Sequence, residues 1–69
     1  MNRTFPHSTN VAAMQYDEAS EALTVEFKDG SEYVLSSVPS WAAQGLHDSP
    51  SPGSYYHRHL KDRYSTRRL

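Results

Sequence analysis

The stretch Leu23-Thr24-Val25-Glu26-Phe27-Lys28-Asp29-Gly30 carries the clearest structural signal in the sequence. Leu23, Val25 and Phe27 alternate strictly with polar residues, which is the period of a strand with one apolar and one polar face. An Asp-Gly pair directly after a strand favours a two-residue hairpin turn, because a type I′ turn needs positive φ at both central residues. The stretch therefore predicts a strand that turns back into an antiparallel partner.

Similar alternation lies on both sides of this hairpin. Before it, Ala12, Met14 and Tyr16 fall on one face of a strand that begins at Val11 and ends in a polar turn. After it, Tyr33 and Leu35 can face the core, opposite Glu32, Val34 and Ser36. The three segments predict an antiparallel meander with one apolar face and one acidic face.

The period changes after the third strand. A short helix is predicted where apolar residues recur at helical spacing, at Val38, Trp41, Ala42, Gly45 and Leu46. Pro39 suits the first turn of this helix, and we expect Trp41 to cover the inner face of the sheet. The helix should end at Asp48–Pro50, since the residue before a proline disfavours α geometry.

A second helix should start with Ser51 as the N-cap and Pro52 as the first helical residue. Its neighbours at three- and four-residue spacing extend to Tyr64, with one packing face and one basic face. The fold class is then α+β, a three-stranded antiparallel β-meander packed by two short C-terminal helices. Residues 1–10 are expected to form a flexible arm, 11–64 a single domain and 65–69 a basic tail.

Composition excludes several classes of protein. With 69 residues and no cysteine, disulfides and thiolate metal ligands cannot support the core. No apolar run approaches a membrane span, so we expect a cytoplasmic protein with no membrane partner. There is no nucleophile elbow, phosphate-binding glycine loop or zinc motif, and His57 and His59 point apart on a helix. The sequence predicts no catalytic residues, metal or cofactor, and the chain is not expected to be an enzyme.

Charge is distributed unevenly along the chain. Residues 1–53 contain two cations and seven carboxylates, whereas residues 54–69 contain five cations and one carboxylate. Guanidinium groups contact phosphates, and tyrosine or histidine rings offer stacking surfaces to unpaired bases. The candidate residues for binding RNA, another nucleic acid or a partner are Tyr55, His57, Arg58, Lys61, Arg63, Arg67 and Arg68.

Two alternatives to nucleic-acid binding follow from the same residues. The cations could pair internally with carboxylates of the hairpins, such as Glu26 or Glu32, while the tyrosines pack in the core. The same basic and aromatic face could instead bind an acidic protein surface, because Tyr and Arg are enriched at interfaces. A monomer, or a weak homodimer formed through an exposed strand edge, is compatible with each alternative.

The order of these segments resembles the KTSC domain, a module found at the C-terminus of some lysyl-tRNA synthetases and as free-standing bacterial or phage proteins. The resemblance rests on Tyr16-Asp17, on Leu23 to Phe27 with Asp29-Gly30, on Tyr33, on Val38-Pro39, and on Ser51-x-Gly53-x-Tyr55-Tyr56-x-x-His59-Leu60-x-x-Arg63-Tyr64. Two positions depart from the family pattern: Leu35 replaces the second Tyr of a Tyr-x-Tyr, and His57 replaces an Asn. The resemblance implies a single small domain, and its attachment to a tRNA synthetase implies RNA as a partner.

Overall fold

Five strands form one antiparallel sheet in the computed structural model, which describes all 69 residues. In sheet order these strands are β1 Asn2–Thr4, β2 Val11–Asp17, β3 Ala22–Phe27, β4 Glu32–Leu35 and β5 Thr66–Arg68. The predicted α+β class, with an antiparallel sheet and two short helices, is confirmed. The predicted number of strands is wrong, because the sheet has five strands rather than three.

The two additional strands form the edges of the sheet, and they lie in the segments predicted as arm and tail. In β1, Asn2 pairs with Gln15 and Thr4 with Ala13. At the other edge, Thr66 of β5 pairs with Leu35 of β4. Each strand has three residues, all exposed, and so few residues show no readable alternation. Pairing with a longer neighbour, rather than side-chain pattern, stabilises both.

A bulge in β2 changes which side chains reach the core. Val11 pairs with Phe27, yet Ala13 pairs with Glu26, so the register shifts between Val11 and Ala13. As a result Val11 is buried together with Met14 and Tyr16. Simple alternation would have placed Ala12 on that face.

The β3–β4 hairpin has a longer loop than the predicted type I′ turn. Gly30 has φ +92°, whereas Asp29 is not among the residues with positive φ. The Phe27 amide donates to the Ser31 carbonyl at 2.8 Å, which leaves three residues in the loop. Asp29 Oδ1 accepts a hydrogen bond from the Ser31 amide at 2.9 Å. One left-handed glycine is enough for a three-residue hairpin loop, so the type I′ prediction is wrong.

Both helical segments pack on the same face of the sheet. Helix α1 spans Ser40–Asp48, and α2 spans Pro52–Tyr55 and continues directly into one π-helical turn, Tyr56–Leu60. In this π turn the Lys61 amide donates to the Tyr56 carbonyl at 2.7 Å, five residues back. Regular helix ends at Leu60 rather than at Tyr64. Neither helical segment has the length or the apolar composition needed to cross a bilayer.

Trp41 does not cover the sheet, contrary to the prediction. Its side chain is 72% exposed, and α1 instead buries Ala42, Ala43 and Leu46. Val38 is buried but lies before the helix, so helical spacing counted from Val38 does not predict which face of α1 is buried. The face of α1 that packs in the core therefore does not include Trp41.

The core lies between the inner face of the sheet and the helical segments. Its fully buried side chains are Met14, Leu23, Leu35, Leu46, Leu60, Val11, Val25 and Val38. The Tyr16 hydroxyl donates to the Val38 carbonyl at 2.6 Å and so satisfies a buried group of the β4–α1 loop. This packing fixes the second helical segment against the β3–β4 hairpin.

Candidate functional site

An open groove of about 930 Å³ separates the β3–β4 hairpin from the second helical segment. We call it the hairpin groove. Its lining residues are Thr9, Asn10, Phe27, Lys28, Asp29, Ser31, Tyr33, Gly53, Ser54, Tyr56, His57, Arg58, Lys61, Asp62 and Thr66. Residues far apart in the sequence thus form one surface, because the π turn packs beside the tip of the hairpin.

Three half-buried aromatic rings line the groove. Phe27 meets Tyr33 edge-on with ring centroids 5.7 Å apart, and it meets Tyr56 edge-on at 5.1 Å. Edge-to-face contacts of this kind hold aromatic rings in fixed orientations. Burial raises the pKa of the Tyr56 hydroxyl, and the neighbouring Tyr33 and Asp62 add to the effect. The surroundings of Tyr56 therefore favour its neutral, hydrogen-bonding form.

Cations stand on both walls of the groove. Lys28 projects from the hairpin, and Arg58 and Lys61 project from the π turn and the residue after it. No Lys or Arg side chain lies within 4.0 Å of a carboxylate, since the only basic side chain within that distance of one is His47, whose Nδ1 lies 2.8 Å from Asp48 Oδ1. The alternative in which the C-terminal cations pair internally is therefore not observed. Their charge is available to an anionic ligand.

Two carboxylates also line the groove, Asp29 on the hairpin and Asp62 after the π turn. Hydrogen bonds from Ser31 hold the pKa of Asp29 below its usual value, and the charge of Arg68 lowers it further. Asp62 has φ +62°, a left-handed conformation in which Asp is tolerated better than most residues. The groove therefore contains acceptors as well as cations.

The structure brings three of the seven predicted site residues to this groove and places a fourth, Arg68, beside it. His57, Arg58 and Lys61 line it directly, and all three are exposed. The guanidinium of Arg68 lies over the Tyr33 ring, 5.8 Å from its centroid, and so extends the cationic surface along β4. The other three predicted residues lie elsewhere.

Tyr55 packs between the two helices. Its hydroxyl donates to the Ala42 carbonyl at 2.9 Å, and its ring centroid lies 4.8 Å from that of His59. The ring covers Gly45 so closely that a Cβ atom there would overlap the tyrosine hydroxyl. Its hydroxyl and one side of its ring are therefore engaged inside the protein.

Arg63 and Arg67 do not contribute to the groove. Arg67 pairs with Val34, whose side chain points away from the core face that carries Tyr33 and Leu35. It therefore stands on the open face of the sheet. Arg63 is exposed in the turn before β5 and lines no part of the groove.

Sequence reasoning missed the part of the site contributed by the hairpin. The sequence pattern placed Phe27 and Tyr33 on the core face and Asp29 in a turn, and it assigned no function to Lys28. The available signal was that both aromatic residues lie at the hairpin end of their strands, where a core face meets solvent. Which helical residues would face them depends on tertiary packing.

A five-stranded antiparallel sheet with both helical segments on one face defines a small, two-layered α+β domain whose other sheet face is open. The chain belongs to the KTSC domain family, whose model matches residues 7–64. A crystal structure of a KTSC domain protein from Yersinia pestis superposes on it with a TM-score of 0.89. That match covers 100% of this chain and 96% of the other at 21% identity, and it shows the fold.

Two curated relatives are lysine–tRNA ligases. The chain is 31% identical over 64 residues to the ligase of Nostoc sp. (strain PCC 7120) and 30% identical over 64 residues to that of Trichormus variabilis. Each match covers 93% of this chain but 11% of the ligase. The similarity therefore concerns one small part of a much longer protein.

Proposed function

We propose that this domain binds RNA in the hairpin groove and that it does so without catalysing a reaction. The observation that carries the proposal is that the cations of the groove have no carboxylate partner within 4.0 Å. A cation that is already paired inside a protein offers little to a phosphate, whereas a free cation at the surface attracts one. Arg58 and Lys61 are in this free state on the helical wall, and Lys28 on the hairpin wall makes only a 3.4 Å hydrogen bond from its Nζ to the Pro6 carbonyl.

The rings of the groove support the same function. Phe27, Tyr33 and Tyr56 are half-buried, so each has some ring surface available to a ligand. Unpaired bases stack on aromatic side chains, with roughly 1–3 kcal/mol for each base. Cations and rings together suit a ligand in which anionic groups alternate with flat aromatic ones, as in a single strand of RNA.

The relatives point to the same class of partner. They are ligases that act on tRNA, and this domain corresponds to a small part of them. A non-catalytic part of such an enzyme that contributes affinity for RNA is consistent with free cations and an open groove. The open groove also argues against catalysis, since an enzyme site usually encloses most of its substrate.

Salt-dependent binding tests the proposal. If Lys28, Arg58, Lys61 and Arg68 neutralise about four phosphates, the logarithm of the binding constant should fall with the logarithm of salt concentration with a slope near −3. Fluorescence anisotropy of a labelled single-stranded RNA, titrated with the protein at several salt concentrations, measures this slope. Binding that is absent, or indifferent to salt, would contradict the proposal.

Paired charge variants locate the binding surface. The double variant Arg58→Ala/Lys61→Ala removes two cations from the groove and should weaken binding by about a hundredfold, because charge-assisted hydrogen bonds contribute roughly 1.5 kcal/mol each. Arg63→Ala/Arg67→Ala removes the same charge outside the groove and serves as the matched control. Equal losses in the two variants would indicate attraction by net charge rather than binding in the groove.

One observation favours a second candidate function, binding to a protein. Trp41 is 72% exposed on α1, and tryptophan is among the residues most enriched in interface hot spots. The groove residues do not include it, so a protein could bind this surface while RNA occupies the groove. Trp41→Ala should leave RNA affinity unchanged, and a protein partner that loses its affinity for this variant would support the second function.

A further inference from the structure

The hairpin groove contains two features that simple attraction of phosphates does not require. Asp29 stands beside Lys28 on the hairpin wall, and Asp62 follows Lys61 on the helical wall. Neither carboxylate lies within 4.0 Å of a Lys or Arg side chain. At equal distance a carboxylate repels a phosphate as strongly as a lysine attracts it. Carboxylates at these positions disfavour a uniformly anionic ligand.

Asp29 is arranged as a fixed acceptor. Its Oδ1 accepts two hydrogen bonds from Ser31, from the amide at 2.9 Å and from the hydroxyl at 2.6 Å. These bonds hold the carboxylate in place on the hairpin, and they lower its pKa because they favour the charged form. The second oxygen, Oδ2, takes part in neither of these bonds to Ser31, and we infer that a ligand can reach it.

Carboxylate acceptors recognise the amino groups of bases. Asp and Glu accept hydrogen bonds from groups such as the N4 amino group of cytosine, and a good polar contact to a base edge discriminates against the wrong base by roughly 5- to 150-fold. Adenine, cytosine and guanine each carry an exocyclic amino group, whereas uracil carries none. In an A-form duplex the pairing edges are occupied, and proteins contact mainly the backbone and the 2′-hydroxyl groups.

We propose that Asp29 and Asp62 make the hairpin groove selective for unpaired RNA whose bases carry amino groups, against duplex RNA and against uracil. This inference rests on the proposed RNA binding and specifies its ligand. The cations provide affinity through phosphates, and the carboxylates determine which bases can occupy the groove between them. Selection by base chemistry separates this site from a surface that binds any polyanion.

Homopolymers test the selection. Short labelled strands of oligo(C), oligo(A) and oligo(U), and an A·U duplex, are titrated with the wild-type protein in one buffer and followed by anisotropy. Oligo(C) should bind about tenfold more tightly than oligo(U), since 1.4 kcal/mol corresponds to a factor of ten. The duplex should bind more weakly than oligo(A).

Asparagine variants test the role of the two carboxylates. Asp29→Asn keeps a side-chain oxygen for the bonds to Ser31, but it replaces the free acceptor by an amide donor. Asp62→Asn is equally conservative, because Asn also tolerates the left-handed conformation. In each variant the preference for oligo(C) over oligo(U) should fall at least threefold, while the affinity for oligo(U) rises because one negative charge is lost.

Glu18→Gln is the matched control, since it removes one carboxylate from the β2–β3 turn, outside the groove. It should leave the ratio of the two affinities unchanged. Equal binding of all strands would overturn the proposed selection but not RNA binding. The same would follow if Asp29→Asn and Asp62→Asn had the wild-type ratio of affinities for oligo(C) and oligo(U). No binding of any strand would overturn the RNA-binding function itself, and the selection with it.

Discussion

At the scale of single residues, the structure contains a few positions where backbone conformation or burial has a cost that can be measured. Glu21, Ser37 and Asp62 have positive φ, although none is glycine. Tyr16 is buried in the core and keeps its hydroxyl bonded to the Val38 carbonyl. A domain this small has little stability in reserve, so changes at such positions should be detectable.

Glu21→Gly should stabilise the domain. Glu21 has φ +56° and an exposed side chain. A left-handed conformation costs an ordinary residue about 1–2 kcal/mol, and the extra freedom of glycine in the unfolded chain offsets roughly half of that gain. We expect the free energy of unfolding in urea to rise by about 0.5–1 kcal/mol. Glu18→Gly lies in the same turn, where φ is not positive, and should instead lower the free energy of unfolding. A lower free energy of unfolding in both variants would contradict the explanation by backbone conformation.

Stability should decrease at alkaline pH. Burial raises the pKa of Tyr16 above its usual value of 10.0, and the charges of Glu21 and Glu18 raise it further. A raised pKa means that the folded protein favours the neutral phenol, so this contribution is complete below pH 10 and is lost as the pH rises above it. Thermal unfolding followed from pH 8 to pH 11 measures the loss.

Tyr16→Phe provides the comparison for this pH dependence. The variant should be less stable than wild type at pH 8, because the buried Val38 carbonyl loses its donor. It should also lose less stability above pH 10. The decrease of stability with rising pH should not vanish in the variant, since burial also raises the pKa of Tyr55 and of Tyr56. Identical slopes in the variant and the wild type would exclude Tyr16 as a source of the effect.

At the scale of secondary-structure elements, two contacts set the position of the second helical segment. The Tyr55 ring packs over Gly45 of α1, and the Tyr56 ring packs edge-on against Phe27 of β3. The π turn follows immediately and places His57, Arg58 and Lys61 at the groove. Single π turns occur frequently at functional sites, where the additional residue in the turn redirects side chains.

Gly45→Ala should disrupt the contact between the helices. The new methyl group would overlap the Tyr55 hydroxyl, which is held by its bond to the Ala42 carbonyl. Overpacking of this kind costs about 1–3 kcal/mol. In a Tyr55→Ala background the clash is absent, and alanine should then be favoured in the helix by up to about 1 kcal/mol.

Urea unfolding of Gly45→Ala, Tyr55→Ala and the double variant completes this thermodynamic cycle. The effect of Gly45→Ala on the free energy of unfolding should differ between the two backgrounds. We expect it to be destabilising in the wild type and neutral or stabilising in Tyr55→Ala. If Gly45→Ala had the same effect in both backgrounds, the close approach of the Tyr55 ring would not be the reason for glycine at this position.

At the scale of the whole molecule, the edges of the sheet are more important than their sequences indicate. β5 closes the β4 edge, and the Leu69 amide donates to the Glu32 carbonyl at 2.9 Å. β1 covers the opposite edge, and the buried Phe5 follows it directly. Short, charged edge strands also limit pairing between molecules.

Removal of residues 65–69 should therefore destabilise the domain, although every one of them is exposed. The truncation leaves the β4 edge unpaired and removes the strand bonds along it. We expect the midpoint of thermal unfolding to fall by about 5 °C or more, since 1 kcal/mol shifts it by roughly 4–8 °C in a domain of this size. Arg67→Ala/Arg68→Ala keeps the strand and serves as the control. An unchanged midpoint after truncation would indicate that β5 does not stabilise the sheet.

The fold could be predicted where side-chain pattern and burial coincide, as in Leu23, Val25 and Leu35, whose alternation defines the central strands. The candidate site could be predicted only in part. The abundance of cations and rings after Gly53 pointed to His57, Arg58, Lys61 and Arg68. Composition could not distinguish these residues from Arg63 and Arg67. An exposed arginine beside the groove and one elsewhere on the surface look alike in the sequence around them.

The sequence by itself determined the α+β class, the central meander, the start of the second helix at Pro52 and the surplus of positive charge at the C-terminal end. All of these depend on interactions between residues near one another in the chain. Only the tertiary structure decided that β1 and β5 join the sheet, that Trp41 faces solvent, and that Lys28, Asp29 and Phe27 share a groove with the π turn. These features depend on contacts between distant segments, and short local patterns contain no information about which distant segment will be the neighbour.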